Sequence, residues 1–122
     1  MSTTINLFRN ATDVKTFTAG QVIFKEGQPG DVMYVVIDGT IDILVHDRVI
    51  NIVGPGGILG EMALLDNEPR STTAIANTDC KLAPVDQRRF TFLVQETPYF
   101  AVQVMQIMAE RLRHLNSLLG PT

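Results

Sequence analysis

Histidine and cysteine are nearly missing from this chain of 122 residues, which has two of the first and one of the second. The lone thiol, Cys80, excludes an intramolecular disulfide and suits a reducing compartment. His46 and His114 are too few and too far apart for a clustered metal centre, so no metal is expected. The same scarcity leaves no Ser/His/Asp or Cys/His arrangement, and Cys80 reads as a small core residue. An enzyme is therefore not expected. Positive charge is also short: ten Lys and Arg stand against thirteen Asp and Glu, for a net charge of -3. That balance argues against nucleic acid as the main partner. Arg88, Arg89, Arg111 and Arg113 lie close in sequence and read as a solvated helix face. No basic-then-apolar leader opens the chain, and no apolar run approaches membrane-spanning length. A cytoplasmic protein without membrane insertion is expected.

What is present fits one globular domain over residues 1–122, with 45% hydrophobic and 19% charged residues. Residues 1–20 offer Ile5, Leu7, Phe8, Val14 and Phe17 as packing points for a short helix and a lead-in strand. From Gln21 to Val85 the chain reads as short strands broken by turns such as Glu26-Gly27-Gln28-Pro29-Gly30 and Asp38-Gly39. Pro84, without an N–H, is expected at an edge or bulge. Many short strands with regular turns point to an antiparallel sandwich or barrel. From Asp86 the period changes. One short helix stops before Pro98, and a second runs from Tyr99 to Leu119, closed by Gly120-Pro121. Met105, Met108, Leu112, Leu115 and Leu119 form an apolar seam along it, suited to packing on the barrel, to a dimer contact or to a lid.

The segment from Gly60 to Thr73, Gly-Glu-Met-Ala-Leu-Leu-Asp-Asn-Glu-Pro-Arg-Ser-Thr-Thr, carries the chemistry. A glycine and a carboxylate open a short helix-forming run, whose first N–H groups and dipole suit an anion. Arg70 follows with a planar fork of donors that matches phosphate oxygens. Glu61 would repel phosphate, so it suits another task, such as accepting from sugar hydroxyls. The pattern implies a nucleotide-like ligand with an anionic end and a hydroxyl end. Taken singly, Glu61 as a helix cap and Arg70 as a surface charge beside Glu68 remain open readings.

Together these residues resemble a cyclic nucleotide-binding domain. Gly27, Gly30, Tyr34 and Gly39 are similar to the family's early turn-and-hairpin pattern. Gly54-Pro55-Gly56 followed by Gly60-Glu61-Met62-Ala63-Leu64 resembles the entrance of its phosphate-binding cassette, and Pro69-Arg70-Ser71 its exit. The resemblance implies a mainly β fold, an antiparallel jelly-roll barrel with a short N-terminal helix and two C-terminal helices. It implies Glu61 on the ribose 2′-hydroxyl and Arg70 on the cyclic phosphate. The backbone N–H groups of Gly60, Met62, Ala63, Ser71 and Thr72 are expected donors, and the Ser71 hydroxyl a further phosphate contact. Asn116, with His114 as the poorer candidate, is expected near the purine. Gly57 and Leu59 depart from the acidic and aromatic residues frequent in the family. Serine after the arginine leans toward cAMP over cGMP.

The ligand expected is thus cAMP or cGMP, with no cofactor. The function implied is a regulatory module that couples binding to movement of the C-terminal helices, with Phe90 and Leu93 at the apolar joint. The partners implied are a second copy through the last helix or an effector protein. The alternative is a non-binding jelly-roll scaffold for protein contacts. No helix pair for a DNA groove follows the last helix. Both a free-standing protein and a piece of a longer one fit, although Met1 and Gly120-Pro121 read as natural ends.

Overall fold

The computed structural model describes residues 3–120; Met1 and Pro121, read above as chain-end signals, lie outside them. Eight strands precede the two long helices: β1 (Lys15–Phe17), β2 (Val22–Phe24), β3 (Val32–Asp38), β4 (Ile41–Val45), β5 (Arg48–Val53), β6 (Ile58–Leu59), β7 (Thr73–Ala76) and β8 (Cys80–Asp86). A short helix α1 (Glu61–Asp66) follows β6, and α2 (Gln87–Glu96) and α3 (Tyr99–Leu118) end the chain. The strands form two antiparallel sheets of four, ordered β1-β8-β3-β6 and β2-β7-β4-β5. The mainly β, antiparallel expectation holds. A closed barrel does not form: the edge strands of the first sheet, β1 and β6, are three and two residues long and carry no ladder to the second.

The expected N-terminal helix is also absent among the described residues. Residues 7–10 make turns, with Arg9 N–H on the Asn6 carbonyl at 3.2 Å and Ala11 N–H on Phe8 at 3.0 Å. Asn6, Asn10, Thr12 and Asp13 favour such local turns over helix. Ile5 and Phe8 are buried all the same, both in the cluster under the helices, without a helix to carry them there.

The strand β3 explains the core. Its side chains alternate, so Met33 and Val35 join the cluster under the helices while Tyr34 and Val36 join the one between the sheets. Burial on both faces is why this strand reads as an unbroken apolar run. Neighbouring β8 splits likewise, with Ala83 and Val85 on one side and Leu82 on the other. Pro84 sits opposite Tyr34 in this inner strand, but β1 begins opposite Leu82 and does not reach Pro84, so no ladder bond is wanted on that side.

Asp86 starts α2 by accepting from Arg89 N–H at 2.8 Å. Pro98 then halts it and opens α3. Phe100 is fully buried, with ring centroids 5.5 Å from Phe90 and 6.3 Å from Phe8, both edge-on. The buried stripe of α3 is Phe100, Val104 and Ile107. It is out of phase with the seam expected from sequence, in which Met105, Leu112 and Leu119 stay exposed.

Candidate functional site

Between β6 and β7 the chain leaves the sheets and wraps a cavity of about 440 Å³. Gly60 turns into α1 at φ +78°, a left-handed conformation that glycine adopts without strain. Gly60, Glu61, Met62 and Ala63 line the near wall, and Arg70, Ser71 and Thr72 return along it after the loop. The cassette residues singled out from sequence are therefore brought together. Asn116 is not among them. It is exposed, since five residues beyond Arg111 a helix has turned by about 140°. His114 and Leu115 reach the cavity in its place.

Arg70 is 8% exposed although it carries a full charge. Its Nη1 donates to the Gly60 carbonyl at 3.1 Å and its Nη2 to the Val32 carbonyl at 2.8 Å. The guanidinium lies 4.3 Å above the centre of the Phe24 ring, and its buried Nε–H has no partner. Gly30 makes room for it, because a Cβ there would collide with the guanidinium. Burial pushes the pKa of Arg70 down, opposed by the nearby Tyr34, Asp31 and Glu61. Among the described residues no carboxylate pairs with it, so the reading as a surface charge beside Glu68 fails.

Glu61 is 5% exposed, and it does not cap α1. Its Oε1 meets Arg111 Nη1 at 2.5 Å, while Arg111 Nη2 donates to the Ile58 carbonyl. Arg111, read from the sequence as solvated, is instead a cavity residue paired with Glu61. The available signal was its phase: it follows Val104 and Ile107 at steps of three and four on the buried stripe. Met108, Leu112 and Leu115 add an apolar wall from α3, with Ile43 and Ile50 opposite on β4 and β5. α3 thus forms one wall of the cavity.

Gly60→Ala is expected to destabilise the fold by about 1–3 kcal/mol. The new methyl would sit 2.5 Å from Arg70 Nη1 on a positive-φ backbone. Urea denaturation checks this, and an unchanged midpoint would contradict the tight cradle.

Among the described residues no group of three or more His, Cys, Asp or Glu is placed to hold a metal ion. No described helix is long and apolar enough to cross a membrane. The family model described as cyclic nucleotide-binding domain matches residues 14–97. The chain belongs to the cyclic nucleotide-binding domain family. This cyclic nucleotide-binding domain is similar to the cAMP-dependent protein kinase regulatory subunit of Eremothecium gossypii, at 43% identity over 81 residues. That match covers 66% of this chain but only 18% of the longer relative. Its fold is similar to the Thermus thermophilus Catabolite Activator Protein (TM-score 0.79, 28% identity, 93% of this chain and 56% of that one). It is also similar to the solved structure of Sp-2Cl-cAMPS bound to PKAR CBD2 (TM-score 0.73, 30% identity, 89% and 73%).

Proposed function

We propose that this domain binds a purine 3′,5′-cyclic monophosphate, cAMP in preference to cGMP, and passes the event to α3. One observation carries the reading. The cavity holds one buried carboxylate and two guanidinium groups, and the carboxylate is already paired with Arg111, so Arg70 keeps an uncompensated positive charge. A cyclic phosphate diester carries one negative charge and balances it without a metal. Arg70 would exchange neutral carbonyl partners for charge-assisted bonds to the phosphate. The N–H groups of Gly60, Met62, Ala63, Ser71 and Thr72, with the Ser71 hydroxyl, would complete the phosphate and ribose contacts. Arg111 engages Oε1 of Glu61, leaving Oε2 to accept from the ribose 2′-hydroxyl. His114, which lines the cavity, suits the purine better than Asn116 does. The lean to cAMP rests on Ser71 and on the cAMP-related relatives.

The Glu61–Arg111 pair supports coupling, because it joins the cassette to α3 through one contact. Phe90 and Leu93, packed against the cluster that holds Phe100, supply the joint on which α2 and α3 would shift. A ligand that favours the docked α3 biases this equilibrium only by its differential affinity. We take the domain as one unit over residues 1–122, regulatory and cytoplasmic, signalling to a second copy or an effector through the exposed residues of α3.

Calorimetry with cAMP and with cGMP tests the reading. Heat with cAMP, and less with cGMP, is expected. No heat with either would favour the scaffold alternative. Arg111→Ala, by stranding Glu61, is expected to cost about 1–3 kcal/mol of stability and to shrink the ligand-induced rise in Tm. An undiminished rise would break the link between pocket and helix.

A further inference from the structure

The first described residues of the chain tie α3 down, a task the nucleotide site does not itself require. Thr3 donates its amide to both oxygens of the Glu110 carboxylate, at 3.0 and 3.1 Å, and its hydroxyl to Oε2 at 2.6 Å. Two turns earlier on the helix, Gln103 Nε2 donates to the Thr4 carbonyl at 3.3 Å. Ile5 then donates its amide to the Gly56 carbonyl at 2.7 Å and buries its side chain. Gly56 has no room for more: a Cβ there would meet the Thr4 side chain at 2.5 Å. Residues 3–5 therefore form a strap with α3 on one side and the turn before β6 on the other. The next residues of that turn lead to Ile58, whose carbonyl receives Arg111. Glu110 and Arg111 are consecutive, so the side chain that grips the strap and the one that grips the pocket move as one body.

We propose that this strap is a built-in latch that sets the resting position of α3, with Glu110 as its positioning residue. The latch holds the helix over the cavity before any ligand arrives, and so it fixes how much closure remains for a ligand to drive. An equilibrium already closed can be shifted little, whereas one loosened toward open can be shifted further at the cost of apparent affinity. The hydrogen bonds from Thr3 also hold the Glu110 carboxyl below its usual carboxylate range, in keeping with a clamp that grips the ionised form. The part of this proposal that concerns ligand rests on the nucleotide reading above; the part that concerns the resting helix does not.

Hydrogen exchange on the full chain, read by mass spectrometry, tests it. Glu110→Ala removes the grip, yet alanine is the better helix former, so the substitution does not by itself melt α3. Thr3→Val removes the hydroxyl donor alone. Without ligand, the α3 amides of Glu110→Ala should exchange about tenfold faster than in the unaltered chain, and those of Thr3→Val faster by less. The sheet amides should keep their rates. Gln106→Ala, an exposed change elsewhere on α3, should exchange like the unaltered chain. Equal α3 rates in Glu110→Ala would overturn the latch, and so would uniform acceleration across sheets and helix. In the second arm, saturating cAMP should restore protection of α3 in Glu110→Ala. Calorimetric heat without restored protection would overturn the part of the proposal in which the ligand drives α3 closed. No heat from the unaltered chain would instead be a failure of the nucleotide reading, and the ligand-free arm would still decide the latch.

Discussion

Arg70→Leu is expected to weaken cAMP binding by ~2–5 kcal/mol, or roughly thirtyfold to several thousandfold. The loss is large because the arginine is the one buried cation of the cavity without a carboxylate. Leucine keeps much of the contact with Phe24 but offers nothing to a phosphate. Stability should move far less than affinity. The substitution strands the Gly60 and Val32 carbonyls, yet it also removes a desolvated charge with an unpartnered Nε–H. Arg70→Lys should recover only part of the affinity, since an ammonium cannot meet two phosphate oxygens in one plane. Calorimetry of the three chains side by side checks the ordering. Equal binding by Arg70→Leu and the unaltered chain would remove Arg70 from the site.

Phe100→Ala should carry the largest cost to the fold, about 3–5 kcal/mol, seen as a fall in Tm of roughly 10–20 °C. The ring is fully buried and stands between Phe90 of α2 and Phe8 of the N-terminal segment. Truncation leaves a cavity that three separate chain segments would have to close together. Thermal denaturation by circular dichroism measures the shift. A drop of only a degree or two would mean that those segments are held by something else.

Much of this was legible in the residues, for identifiable reasons. β3, β4 and β8 could be read because β-branched runs between Gly, Asp and Pro turns report local preferences directly. The cassette could be read because Gly60, Glu61, Arg70 and Ser71 keep their chemistry and spacing within one loop. What escaped depends on contacts distant in sequence. Arg111 is paired across fifty positions with Glu61, and only its phase on the α3 stripe marks it. The strand β6 is too short to show a period. The N-terminal segment misled because Ile5 and Phe8 are spaced like one helical face, while the turns at residues 7–10 deliver both to the same cluster without a helix. Asn116 lies off the cavity, and a polar residue near a helix end gives no sign of which side faces a ligand.

The partition made by β3 has one more consequence. Its two faces serve two clusters, and the helices contribute no buried side chain to the one between the sheets. Lifting α2 and α3 therefore uncovers the first cluster broadly, but the second only on the side that faces the cavity, at Phe24, Ile43, Ile50 and Leu59. The molecule is built as two shells of unequal permanence, in which a partial, reversible unfolding of the outer shell need not spread to the inner one. Cys80, buried between the sheets, belongs to that inner shell. Its thiol would stay shielded from modifying reagents even with α2 and α3 lifted.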